Sequence, residues 1–134
     1  MVCCGMKLII IALLLPFASI VMAAQPATLD HHRGNHRLLV VPAPTRAMEA
    51  ELEKHRLAME ERDVLIIALI ADAPTPIAEE IAARFQFTAT SKEILLIGKD
   101  GNTTVRWPIA DFTIENLFQR IDAMPMRQRE MRER

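Results

Sequence analysis

Val64-Leu-Ile-Ile-Ala-Leu-Ile-Ala71 is a run of eight apolar residues without a charge. An uninterrupted, isoleucine-rich run of this length predicts a strand buried on both faces, as in a parallel sheet covered by helices. The flanking sequence supplies the rest of such a sheet. Upstream, Leu38–Val41 is a short apolar run closed by Pro42 and Pro44, which predicts a strand ending in a loop. Thr45 can cap the next helix, where Met48, Leu52, His55 and Met59 recur at helical spacing. Downstream, Asp72–Pro74 reads as a loop, and Thr75-Pro76 reads as a cap followed by proline at the first helical position. Ile77, Ile81 and Phe85 line one face of that helix, widened by Ala78 and Ala82.

Ile94–Ile97 is a third apolar strand, and Gly98-Lys99-Asp100-Gly101-Asn102 is a hairpin turn with positive φ expected at Gly101 and Asn102. Lys99 and Asp100 would sit at its tip. Thr103–Trp107 alternates, as an antiparallel strand near an edge does, and Pro108 stops it. Thr113 caps a last helix with the stripe Ile114, Leu117, Phe118 and Ile121, which Pro125 would end. The order is β-α-β-α-β-β-α. Right-handed crossovers would make the first three strands parallel and the hairpin would add an antiparallel fourth. The expected fold is therefore α/β, a four-stranded mixed sheet with helices on both faces, in a minimal thioredoxin-like arrangement.

The chain divides into four parts. Residues 1–23 read as a signal peptide: Lys7 in the n-region, an uncharged apolar Leu8–Met22, and small residues for cleavage after Ala23 or Ala24. Pro16 and the short apolar length argue against a spanning helix, and retention as an anchor is the alternative. Residues 24–35 read as a flexible lead-in, 36–124 as the folded domain, and 125–134 as a charged tail. The predicted location is accordingly periplasmic or extracellular, with membrane contact only transiently through the signal peptide. Both cysteines, Cys3 and Cys4, lie within the signal. Of 16 basic and 17 acidic side chains only Lys7 lies there too, so the remainder has net charge −2. Nothing in that balance points to nucleic acid or to a membrane surface.

Two stretches carry a resemblance. Ile94-Leu-Leu-Ile-Gly-Lys-Asp-Gly101 and Ile121-Asp-Ala-Met-Pro-Met-Arg127 resemble signature segments of a thioredoxin-like domain of unknown function. That domain occurs in secreted bacterial proteins and in animal sushi-repeat-containing and related extracellular matrix proteins. The resemblance covers about residues 36–132. It implies a thioredoxin-like fold, an extracytoplasmic setting and, in the animal relatives, adhesion or matrix assembly. A peroxiredoxin-like activity is also suggested for the family.

The residues argue against that activity. Thioredoxin-like enzymes hold a reactive cysteine at the first strand–helix junction, where the helix N-terminus stabilises thiolate. The matching segment is Pro42-Ala-Pro-Thr-Arg-Ala-Met48. Met48 stands where the Pro-x3-Thr-x2-Cys pattern of peroxiredoxins has its cysteine, and Pro42 is one residue short of the required spacing. A thioether cannot ionise to a nucleophile. Phe87–Glu93 also lacks the proline that thioredoxins place before the third strand.

No catalytic residue and no cofactor is assigned. Pro44, Thr45 and Arg46, at the helix start, form a candidate binding corner, set against an ordinary cap beside a solvated arginine. His31, His32 and His36 form a candidate metal cluster, set against a flexible polar leader. Arg127, Arg129 and Arg132 form a candidate partner-binding tail, set against a solvated helical end. His55 reads as a rim histidine. Glu49, Glu51, Glu53, Glu60 and Glu61 read as a solvated face, and Met124 and Met126 as core packing. The leading reading is an exported, non-catalytic binding domain for an unknown protein or envelope component. A redox or peroxide-handling enzyme is the second reading, and periplasmic metal binding the third.

Overall fold

The structure, a computed structural model, describes residues 28–134; the predicted signal peptide with Cys3 and Cys4 lies outside them. Its elements are α1 (Leu29–His32), β1 (Arg37–Pro42), α2 (Arg46–Lys54), α3 (Arg56–Glu61), β2 (Val64–Leu69), α4 (Pro76–Phe85), β3 (Glu93–Ile97), β4 (Thr104–Pro108), a 3-10 turn (Ile109–Asp111), α5 (Ile114–Asp122) and α6 (Pro125–Arg132). The strands form one mixed sheet in the order β2-β1-β3-β4. The expected fold class holds.

Alternation along β1 divides the core. Leu39 and Val41 pack with Leu52 and Met59 of α2 and α3 and with Ile114, Leu117 and Ile121 of α5. Leu38 and Val40 face the other way, onto Ile77 and Ile81 of α4, Leu29 of α1, and Phe87. Each fully buried Leu or Ile stabilises the fold by about 1.5–3 kcal/mol relative to exposure. The three threonines read as caps all serve: Thr45, Thr75 and Thr113 accept hydrogen bonds from the amides of Met48, Ala78 and Asn116 at 3.1–3.2 Å.

Several expectations are corrected. β3 runs antiparallel to β1, with Leu38 opposite Ile97 and Val40 opposite Leu95; only β1 and β2 are parallel. The reason is where the chain returns. Thr88–Thr90 lies with Leu69–Ala71 around one cavity, so β3 starts at the end of the sheet where β2 finished and must run the other way. The handedness rule for parallel crossovers does not apply to such a connection. β2 is also not buried on both faces. It is an edge strand, and Ile66 is 41% exposed.

The helix after β1 breaks at His55, which leaves helical geometry at φ −103°, ψ 14° and separates α2 from α3. Within 24–35, the described part is not a featureless lead-in. Thr28 caps α1, Leu29 is buried, and its amide donates to Glu80 Oε2 at 2.9 Å. Pro125 ends α5 as expected: the helix stops at Asp122, and Met124 before the proline is extended at ψ 137°. It also starts a further helix in the expected tail, opening α6 at its first turn, where a missing N–H costs nothing. In the hairpin, Gly101 (φ 73°) is in the left-handed region and Asn102 is not. Asp100 Oδ1 accepts from the amides of Asn102 and Thr103 and holds the turn instead.

Candidate functional site

The parallel strands β1 and β2 both finish at one end of the sheet, and the candidate binding corner lies there. Ala43 takes a left-handed φ of 40°, which turns the chain from β1 into the cap of α2. Pro44 is half-buried, and Thr45 and Arg46 are exposed. Thr45 spends its hydroxyl on the Met48 amide, so it acts as a cap. Thr113 caps α5 at the same end. Between the two helix starts lies a groove of about 410 Å³, lined by Thr45, Ala47, Met48, Glu51, Phe112, Thr113, Ile114 and Glu115. Met48 is half-buried in it, with its inner side against the core. A thioether, an aromatic ring and an isoleucine make the floor apolar, while Glu51 and Glu115 bring negative charge. The α5 residues were not singled out from the sequence. The available signal was a second threonine cap, Thr113, which the topology puts beside the first.

His55 lies near this rim and not in a ligand set. Its Nε2 is 3.4 Å from Glu51 Oε1, and its ring meets Phe118 edge-on. Lys54 donates to the Glu51 carboxylate and holds it below the usual range, with His55 adding to the effect.

The opposite end of the sheet is cross-linked by charge. Arg37, fully buried at the start of β1, donates to the Arg62 carbonyl at 2.8 Å and pairs with Glu130 of α6 at 3.3 Å. Lys99, also buried, donates to Asp63 at 2.8 Å and to Glu130 at 2.6 Å. Arg127, 2% exposed, donates to Asp122 Oδ1 at 3.3 Å and to the Glu61 carbonyl at 3.0 Å. Arg62 closes the set with two 3.0 Å bonds to Asp122. Burial pushes Glu130 and Asp63 up, but hydrogen bonds from Lys99 to both, and from Arg37 to Glu130, outweigh it and leave each below the ordinary carboxyl range. Asp122 is lowered chiefly by its hydrogen bond from Arg62. Buried ions survive only when paired in this way.

Two sequence expectations change here. Lys99 is not at an exposed hairpin tip, and Arg127 is not free in a tail; only Arg129 and Arg132 of the candidate tail are exposed. Lys99 and Arg127, from the two stretches that carried the resemblance, are both structural, and Glu130 bridges them.

The histidines also lie at this end. The ring of His32, buried at the end of α1, approaches His36 with Nδ1 atoms 3.4 Å apart. His31 stands edge-on to His32, with ring centroids 5.3 Å apart, and is exposed. Burial, then the neighbouring His36 and His31, lower the His32 pKa and favour the neutral ring. Among the described residues, no group of three or more His, Cys, Asp or Glu is arranged to hold a metal. The expected three-histidine cluster is therefore a pair. Among the same residues no helix is long and apolar enough to cross a membrane.

Residues 28–130 match a family described as a domain of unknown function, DUF4174. The chain belongs to that family. The DUF4174 match begins at the cap of α1 and runs into α6, so it takes in both ends of the sheet. No curated protein and no solved structure matches the chain.

Proposed function

We propose that this DUF4174 chain is an exported, non-catalytic binding domain of thioredoxin-like kind, which seats a segment of a protein or envelope component in the groove between α2 and the start of α5. The observation that carries the reading is half-buried Met48 within that 410 Å³ groove, at the place where a thiol enzyme of this arrangement would hold its cysteine. Open α/β sheets bind ligands outside the carboxyl ends of their parallel strands, where the strand order reverses. The groove lies beyond that end of the parallel pair β1 and β2. An apolar floor with Glu51 and Glu115 beside it suits an apolar segment carrying a basic residue. Residues 5–134 contain no cysteine, which removes thiol exchange from the domain itself.

Site-specific photo-crosslinking in the native envelope tests the reading, with the probe at Thr45 or Glu115 and, as control, at Arg129 on α6. A single discrete adduct is expected from the first two positions, absent at Arg129 and lost on Met48→Lys in a chain that still unfolds cooperatively. Equal labelling at all three positions would overturn the proposal. So would peroxide consumption or disulfide reduction by the cysteine-free chain.

A further inference from the structure

We propose that His32 and His36 form a two-imidazole site for a borderline divalent transition metal, Zn²⁺ or Cu²⁺, bound through their Nδ1 atoms. The spacing is the first argument. At 3.4 Å, the two nitrogens are farther apart than the usual 2.7–3.2 Å range of N–H hydrogen bonds. Two metal–nitrogen bonds of about 2.0–2.1 Å at a tetrahedral angle put their nitrogens about 3.4 Å apart. The rings are canted by 68° and do not stack, and with both rings as Nε2–H tautomers each Nδ1 offers a lone pair to a metal.

The backbone fixes this pair before any metal arrives. His32 closes α1 and His36 follows the turn that brings the chain back beside it. The amides of Asn35 and His36 both donate to the His32 carbonyl, at 3.0 and 2.9 Å. Gly34, at φ 80°, donates its amide to the Lys99 carbonyl at 2.7 Å and pins the turn to the hairpin. A cavity of about 10 Å³ adjoins both rings, about the volume of one water-sized sphere. Its other walls include the apolar side chains Leu29, Leu38 and Ile97. Arg33 also borders it and is exposed. Imidazole nitrogens as the donors disfavour Mg²⁺ and Ca²⁺, which take oxygen ligands, and suit imidazole-binding metals. Water completes the coordination; His31 lies outside it.

The test uses the full chain carrying Cys3→Ser and Cys4→Ser, so that no thiolate competes. ZnSO₄, CuCl₂ and MgCl₂ are titrated separately, with heat and melting temperature as readouts and ring ¹⁵N shifts followed by NMR. The expected result is one equivalent of Zn²⁺ or Cu²⁺ bound, a raised melting temperature, and no response to Mg²⁺. Zn²⁺ should move the ring signals of His32 and His36 and leave those of His55. His36→Ala, at a half-buried position, should weaken Zn²⁺ binding at least tenfold, while His31→Ala should leave it unchanged. Absence of heat and of ring shifts in the parent chain would overturn the proposal, as would equal affinity in His36→Ala.

Discussion

At the end of the sheet where β1 begins, Arg37, Lys99 and Arg127 are buried; Arg37 and Lys99 pair with carboxylates from distant parts of the chain, and Arg127 pairs with Asp122 just before its own helix. At the end where β1 finishes, the chain turns through Ala43 into exposed Thr45 and Arg46 and an apolar groove. The difference teaches where to look for function. A buried ion that loses its partner costs several kcal/mol, so the first end is constrained by folding. The second end carries caps and apolar side chains that are only partly covered, and it can be spent on a ligand. The two stretches on which the expected resemblance rested, both within the DUF4174 match, supply Lys99 and Arg127. The likeness therefore follows the part that holds the fold, and it says least about the part proposed to bind.

The comparison breaks first, if it breaks, at Glu130, which accepts from Lys99 and Arg37. Glu130→Ala leaves Arg37 and Lys99 without it, and should cost about 3 kcal/mol in urea unfolding. A loss below 1 kcal/mol would mean that the pairs do not cross-link this end. A smaller effect is expected from acid. Glu130, Asp63 and Asp122 have pKa values lowered from 4.5, 3.8 and 3.8. A carboxyl with a depressed folded pKa contributes stability that is full above its unfolded pKa and is lost as pH falls through the folded one. Melting temperature should therefore begin to fall below about pH 6.5, where the unfolded His32 ring takes a proton that the folded ring resists, and fall more steeply below about pH 5 as the carboxyls protonate. In Glu130→Gln the acid limb should be shallower, from a lower starting stability. An unchanged limb in that variant would remove Glu130 from the acid response.

Much of this architecture was legible locally. Thr45, Thr75 and Thr113 announced three helix starts, and the stripe Ile114, Leu117 and Ile121 announced a packed face. Sheet order was not legible, because Val64–Ala71 reads equally apolar at an edge or in the middle. The direction of β3 depends on the return of Thr88–Thr90 to the end of β2, which no local pattern encodes. The charge network was hidden for a related reason. Arg37 and Glu130 are 93 residues apart, and Lys99 and Asp63 are 36 apart. Each reads as a solvated charge until the chain closes. A usable signal was present: Arg37 opens β1, Asp63 precedes β2 and Lys99 follows β3, so a mixed sheet brings all three to one end. The corner at Pro44–Arg46 was located by analogy of position, and the α5 half of its groove became visible only with the fold.

Charge reversal at each end, compared by equilibrium urea unfolding, tests the central claim most directly. Glu130→Lys would put a fourth cation among Arg37, Lys99 and Arg127, whereas Arg46→Glu puts an anion at the exposed first turn of α2, where the helix dipole favours it. The account predicts a loss above about 3 kcal/mol for Glu130→Lys and a change within about 0.5 kcal/mol for Arg46→Glu. Comparable losses at the two ends, or a larger one at Arg46, would contradict it.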